Sequence, residues 1–263
     1  MSAILLNEIR LGRIAHARAR FTVPRARSRG LTRMTPDEVR AWRRGLRARL
    51  LAERVALSRL TILKHGEAID RHLERGFPNL ARGVVAFCWP YQNEHDARFL
   101  ARRLRERGAT TTLPVVVAPK TPLVFREWHP GVKLARGVYG IPYPVESREL
   151  QPDTVLLPML GFDDGGYRLG YGGGFFDRTL AAAPRAPTVI GVAHEVAHLD
   201  TIHPQSYDIP MDWVVTERGI YRRDGARLEF LGAPPGGSPS ELASPVCYAG
   251  ELDPGRFGEP TDG

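Results

Sequence analysis

The sequence predicts an α/β fold: a single layered domain over residues 34–231, with a mostly parallel central sheet flanked by helices and a flexible tail at each end. Three observations predict it. Short apolar runs rich in Val, Ile and Leu, such as 83–89 and 188–193, read as strands buried on both faces. Stretches with helical spacing of apolar residues alternate with them. Glycine and proline clusters punctuate the series, at Gly76-Phe77-Pro78, at Gly108 and in the glycine-rich loop 170–174.

Each element has its own signal. Thr35-Pro36-Asp37-Glu38 reads as a helix start, with Thr35 as cap, Pro36 at the first helical position and Glu38 completing a capping box. The run to Leu57 places Val39, Trp42, Leu46, Leu50 and Leu57 on one face and arginines on the other. Residues 58–80 read as a second helical region that ends near Gly76-Phe77-Pro78. A strand over 83–89 is followed by a helix over 94–107, closed by Gly108. Strands are expected at 111–117, 123–129 and 154–160, then a glycine-rich loop, a helix over 176–182 and a strand over 188–193. A strand at 212–217 and a hairpin of 220–223 with 227–231 across Asp224-Gly225 complete the series. No internal repeat is visible.

Charge is distributed unevenly. The chain carries +8, of which residues 1–33 supply +7 through eight arginines against Glu8, while 232–263 carry −4, leaving +5 on 34–231. A nucleic-acid protein keeps its positive charge on the folded face that meets phosphate, so this distribution argues against nucleic acid as a partner. The basic segment is low in serine for a transit peptide and its apolar piece is too short for a secretory signal. Translation from Met34 is the favoured reading of it. The Pro-, Gly- and Ser-rich 232–263 reads as a disordered tail. No apolar run approaches the ~18 residues of a membrane helix, so a membrane-spanning helix is not expected. Cys88 and Cys247 are too few for a disulfide scaffold, which points to a reducing, cytoplasmic setting.

The densest chemical signal is the stretch 162–178, FDDGGYRLGYGGGFFDR. Gly170, Gly172, Gly173 and Gly174 lie between an expected strand and an expected helix, where backbone N–H groups can converge on an anion. The run is neither a Walker loop nor GxGxxG, since Phe175 stands at the last glycine position. Arg168 offers a planar fork to phosphate, and Asp177 a carboxylate that could hold magnesium against phosphate oxygens. A plain glycine turn beside a surface arginine is the competing reading.

At these residues the chain resembles the 5-formyltetrahydrofolate cyclo-ligase family, also called methenyltetrahydrofolate synthetase. The run Arg168-Leu169-Gly170-Tyr171-Gly172-Gly173-Gly174-Phe175-Phe176-Asp177 carries the resemblance most specifically. Arg43 to Arg47, Glu94-His95-Asp96, Gly140-Ile141-Pro142, Leu157-Pro158, Phe162-Asp163, Tyr207-Asp208 and Asp212 to Glu217 follow in order.

The resemblance implies an ATP- and Mg2+-dependent ring closure. The formyl oxygen of 5-formyltetrahydrofolate attacks the γ-phosphate, and nitrogen 10 then displaces phosphate to give 5,10-methenyltetrahydrofolate. It also implies the site. Arg43, Arg47 and the segment Arg168, Leu169, Gly170, Tyr171, Gly172, Gly173, Gly174, Phe175 and Phe176 would bind ATP, with Arg47 and Arg168 as the catalytic cations. Arg47, Tyr91, Asp96 and residues Tyr171 to Phe175 would contact folate, and Asp177 with Asp208 would hold Mg2+. The expected partners are these small molecules alone, with the chain a monomer.

Read without the resemblance, Arg43 and Arg47 form a solvated helix face, Asp96 is a helix-start acid and Asp208 a turn residue. Departures from the family pattern are Arg43 in place of its lysine, Ala97 in place of its threonine, and Tyr171 and Gly173 where some members carry basic residues. Arg43 and Ala97 motivate an alternative, a non-catalytic or repurposed paralogue that binds nucleotide or folate without turnover. A third reading has the arginines of 1–33 binding nucleic acid.

His194-Glu195-Val196-Ala197-His198 spells the zincin motif H-E-x-x-H, which needs both histidines one turn apart on a helix. The run 189–192 leads into His194 as a strand, and the extended motif's glycine and histidine are Thr201 and Pro204 here, so the context argues against the zinc reading. A histidine at a strand end near the folate cleft, or simply a solvated one, is the expected alternative.

Overall fold

The structure is a computed structural model and describes residues 34–234. The expectations for the tails, including the start at Met34, fall on 1–33 and 235–263, outside the described residues apart from Gly232, Ala233 and Pro234.

Among the described residues four α-helices are formed: α1 Pro36–Val55, α2 Arg59–Gly76, α3 Arg98–Glu106 and α4 Phe175–Ala182. The strands are β1 Val84–Ala86, β2 Thr110–Val115, β3 Val124–Trp128, β4 Leu134–Arg136, β5 Pro142–Pro144, β6 Thr154–Pro158 and β7 Gly161–Asp163. They continue with β8 Arg168–Leu169, β9 Thr188–Val192, β10 His198–Leu199, β11 Trp213–Thr216, β12 Gly219–Asp224 and β13 Arg227–Gly232.

Eight strands form the main sheet, in the order β13-β12-β11-β9-β6-β1-β2-β3. The five central strands, β11 to β2, are parallel, and the flanks β12, β13 and β3 pair antiparallel. Successive residues alternate between two apolar layers. Val85, Leu156, Ile190 and Val215 pack with Ile69 and Leu73 of α2 and Leu100 and Leu104 of α3. Ala86, Leu157, Val189 and Val214 face the other way, against Phe125, Met211 and the α4 residues Phe176 and Leu180. A third cluster seats Leu46 and Leu50 of α1 on Leu169, Ala197 and Ile202.

The α/β architecture and every expected helix and strand are present, with corrections at their edges. Pairing of β1 stops at Ala86, so Phe87-Cys88-Trp89 leave the sheet. Helix α3 starts at Arg98 rather than at residue 94, because Gln92 and Asn93 take positive φ and the Glu94 N–H donates to the Tyr91 carbonyl in a turn. The hairpin turn is Gly225-Ala226, one residue beyond the expected Asp224-Gly225. Two small sheets, β10-β7-β8 and β4-β5, had no periodicity to announce them, since two- and three-residue strands are too short to show one. The largest correction concerns α1. Arg43 and Arg54 lie on its buried face beside Val39, Leu46 and Leu50, whereas Trp42 and Leu57 are only half-buried. Among the described residues no helix is long and apolar enough to cross a membrane.

Candidate active site

A cleft of about 1120 Å3 opens beyond the C-terminal ends of β1, β2 and β6. Strand β1 is followed in sequence by its neighbour on one side, and β6 then joins on the other. This reversal leaves a crevice in the sheet, the usual ligand position in open α/β folds. The volume exceeds the ~300–1,000 Å3 of a pocket for one drug-sized ligand. α1, the glycine loop, the 88–94 segment, the β4–β5 hairpin and the 205–209 loop supply its walls.

The glycine loop leads into α4 as expected, but the strand before it is the short β8 rather than the expected 154–160, and Gly174 caps α4 with φ 63. Arg168, at its start, is nearly buried and donates from Nη2 to Asp177 Oδ2 at 2.9 Å. Burial holds the Arg168 guanidinium below its ordinary pKa, against the pull of Asp177 and Asp208. Asp177 lies in the first turn of α4, and its Oδ1 accepts the Ile209 N–H at 3.2 Å. That N–H belongs to the residue after Asp208, so the two carboxylates are brought to the same wall.

Asp208 is held by Arg43, whose Nη2 donates to Oδ2 at 2.5 Å, and by the Gln205 N–H at 2.7 Å. Arg43 also donates to the carbonyls of Ile202 and His203, each at 3.0 Å. Its reading as a solvated face is therefore overturned. Burial comes from acceptors 159 and 160 residues away in sequence.

One turn on, Arg47 donates from Nε to the Gly170 carbonyl at 2.7 Å. Among the described residues no carboxylate forms an ion pair with it. Burial, then the charge of Arg43, keep its pKa below the ordinary arginine value. Its remaining guanidinium N–H groups border Gly172, whose Cβ, if present, would lie 3.3 Å from Arg47 Cζ.

The other wall is acidic and aromatic. Glu94 is 6% exposed. Its Oε2 accepts the Tyr91 N–H at 3.1 Å, its Oε1 accepts the Tyr171 hydroxyl at 2.9 Å, and Arg54 Nη1 stands 3.7 Å from Oε1. Burial pushes the Glu94 carboxyl up, opposed by Arg54 and the two hydrogen bonds. Tyr91 and Tyr171 meet edge to face at 5.8 Å, so the glycine loop is tied to this wall through a side chain of its own.

Tyr91 lines the cleft as expected; Asp96 does not. The Asp96 carboxylate turns to Arg98, at 2.8 Å to Nε and 2.6 Å to Nη2. Arg98 in turn covers the ring of Trp89, a cleft residue, at 4.7 Å. The acid on the wall is Glu94, two residues earlier, and sequence reasoning passed over it. Arg54 was missed as well, although Arg43, Arg47 and Arg54 follow an i, i+4, i+11 stripe beside Leu46 and Leu50.

The H-E-x-x-H residues do not form a zincin pair. Glu195–Ala197 is one 3-10 turn after β9, and the imidazoles part. His198 stacks on Phe162 at 4.5 Å and bonds Asp164 at 2.9 Å. His194 is buried, contrary to the solvated reading, and is not a cleft residue.

A family model described as the 5-formyltetrahydrofolate cyclo-ligase family matches residues 39–217. The 5-formyltetrahydrofolate cyclo-ligase of Mycolicibacterium smegmatis is 33% identical over 184 residues, 66% of this chain and 94% of that protein. The enzyme of that name from Escherichia coli K12 is 30% identical over 151 residues, 55% of this chain and 83% of its own. Among solved structures, the 5,10-methenyltetrahydrofolate synthetase of Aquifex aeolicus superposes with a TM-score of 0.62 at 28% identity, covering 72% of this chain and 97% of that one.

Proposed function

Because this chain belongs to the 5-formyltetrahydrofolate cyclo-ligase family, a family of ligases that convert 5-formyltetrahydrofolate to 5,10-methenyltetrahydrofolate, we propose that it drives this closure with ATP and Mg2+ through a phosphorylated formyl intermediate. The observation that carries the proposal is the meeting of Arg47, a cation with no carboxylate partner among the described residues, with the glycine loop and two arginine-held carboxylates on one wall.

In this reading Arg47, Arg168 and the N–H groups of Gly170 to Phe176 surround the triphosphate, with Arg43 contributing chiefly by holding Asp208. Phosphoryl transfer calls for positioning and charge neutralisation more than for covalent chemistry by the protein. The formyl oxygen takes the γ-phosphoryl group as ADP leaves. Nitrogen 10 then attacks the activated carbon and gives up its proton, and phosphate departs with the former formyl oxygen. Tyr91, Tyr171 and Glu94 take the folate side, where a carboxylate can accept hydrogen bonds from pterin nitrogens. Asp96 contributes there only through Arg98 and Trp89.

Asp177 and Asp208 fit Mg2+ in donor chemistry: two hard carboxylates beside a phosphate site, the set that ion takes when it shares its ligands with substrate oxygens. The ion would neutralise phosphate charge when bound. The expected monomer and the reducing cytoplasm that two cysteines suggest remain part of the proposal.

The test is the absorbance of the methenyl product from 5-formyltetrahydrofolate with ATP and Mg2+. Turnover should require both, and Asp177→Asn or Asp208→Asn should lower it by roughly 100-fold or more while the protein stays folded. Nucleotide binding without turnover in the parent chain would favour the repurposed paralogue, and turnover without ATP would reject the proposal.

A further inference from the structure

We propose that His65, His194 and Glu217 form a second metal site, outside the cleft, for a divalent transition ion of which zinc is the first candidate. The three residues come from three elements: His65 from the middle of α2, His194 from beyond the end of β9, and Glu217 from beyond the end of β11. Their donor atoms all lie within 4.8 Å of one another.

The spacing suits a bound ion. His65 Nδ1 is 3.0 Å from His194 Nδ1 and 3.6 Å from Glu217 Oε1. A tetrahedral ion with bonds of ~2.0–2.1 Å to nitrogen and oxygen separates its ligands by about 3.3 Å. These atoms therefore need to move only by tenths of an ångström to accept one. Without an ion, a single shared proton can bridge the two imidazoles. A metal uses both lone pairs and the carboxylate together.

The surroundings aim the donors. His194 Nε2 lies 3.2 Å from the Asn93 carbonyl, which can only accept. Nε2 therefore carries the proton, and Nδ1 presents its lone pair to His65 and Glu217. A backbone carbonyl fixing the far nitrogen is the usual support of a metal-bound histidine. Glu217 is oriented in the same manner, its Oε2 accepting the Glu195 N–H at 3.0 Å and Oε1 left toward His65. Two imidazoles and one carboxylate suit zinc and its transition-metal neighbours rather than Mg2+. The side chains of His65 and Glu217 keep partial exposure, so a fourth position can be filled by water.

None of the three residues lines the cleft, and His198, the other histidine of H-E-x-x-H, faces Asp164 instead. A bound ion would fasten α2 to the ends of two sheet strands. It would also hold Asn93, whose side chain donates to the Val55 carbonyl at 3.3 Å and whose neighbour Glu94 is on the cleft wall.

The experiment uses the full chain, stripped with a chelator and titrated with ZnCl2 by calorimetry and with CoCl2 by visible absorption. The expected result is one equivalent of Zn2+ bound with a micromolar or tighter Kd, the d–d bands of a four-coordinate Co2+ ion, and a raised Tm. His65→Ala and the isosteric Glu217→Gln should each weaken Zn2+ binding by roughly 100-fold or more, a larger effect than losing an outer-shell partner. His198→Ala should leave it within about threefold, and excess Mg2+ should not compete. Circular dichroism of each variant separates lost binding from lost fold. The proposal is overturned by the absence of Zn2+ binding, by binding that survives both ligand substitutions, or by loss in His198→Ala equal to that in His65→Ala.

Discussion

Arg43 holds Asp208 in a contact of 2.5 Å between side chains that are 8% and 9% exposed, and its remaining donors close on the carbonyls of Ile202 and His203. A lysine, with one compact ammonium, can satisfy the carboxylate or the carbonyls but lacks the planar fork that serves all three. Arg43→Lys should cost about 1.5 kcal/mol in lost charge-assisted hydrogen bonding and lower turnover about tenfold, with a higher Mg2+ requirement. Arg43→Met, which leaves Asp208 unpaired, should cost roughly 3–5 kcal/mol by chemical denaturation. Equal stability of Arg43→Met and the parent would mean that the pair contributes nothing to the fold.

Gly172 should resist a side chain for two reasons that act together. Its φ of 93 is a conformation that L-residues adopt at a cost of ~1–2 kcal/mol, and an added Cβ would press on the Arg47 guanidinium at 3.3 Å. Gly172→Ala should lose about that much stability and raise the KM for ATP. Gly170→Ala is the contrast, since its Cβ would meet nothing within 4 Å and its backbone lies outside the left-handed region. Thermal melts of the two variants should differ by several degrees, with Gly172→Ala the lower.

What the sequence made legible follows the range of the interactions. The glycine loop and the helix after it are local features, announced by glycine density and a helix-start acid, whereas the two-residue β8 before it was not legible. Strand existence was legible from apolar runs, but the order of the eight strands depends on pairings between distant segments. The burial of Arg43 and Arg54 was hidden for the same reason. An arginine on an amphipathic helix reads as solvated until carbonyls at 202–203, or at 91–92, arrive to receive it. Asp96 and Glu94 exchanged places because a turn at Gln92-Asn93, with positive φ at both residues, delays α3 to Arg98 and turns Glu94 into the cleft.

Tyr171 ties the glycine loop to the opposite wall, its hydroxyl donating to Glu94 and accepting from Arg54 Nη2. Tyr171→Phe keeps the ring against Tyr91 and removes only that link. Glu94 and Arg54, both buried, each then lose one of several partners, which should cost about 1–3 kcal/mol. If Glu94 serves the folate side, the KM for 5-formyltetrahydrofolate should rise more than that for ATP. Steady-state kinetics with each substrate varied in turn decides it, and an effect confined to ATP would remove Glu94 from the folate wall.

His72 gives the fold an acid-sensitive point on α2. Its Nδ1 lies 3.0 Å from the Thr216 carbonyl, so the imidazole donates there, inside the core side of the helix. Burial pulls its pKa below the ordinary histidine value; Arg71 and Arg75 add to this, while the Thr216 carbonyl and Glu217 oppose it. The unfolded chain, with His72 near about 6.5, therefore binds a proton more readily than the folded one. The stability from His72 is fully present above that value and is lost as pH falls through the folded-state pKa. Melting temperatures taken in chelator from about pH 7.5 down to about pH 5 should fall more steeply for the parent than for His72→Gln, which keeps a donor but does not titrate. His194, also held low by burial, is common to both proteins and drops out of the difference. Parallel curves would assign the acid sensitivity to other groups and leave His72 as a packing residue alone.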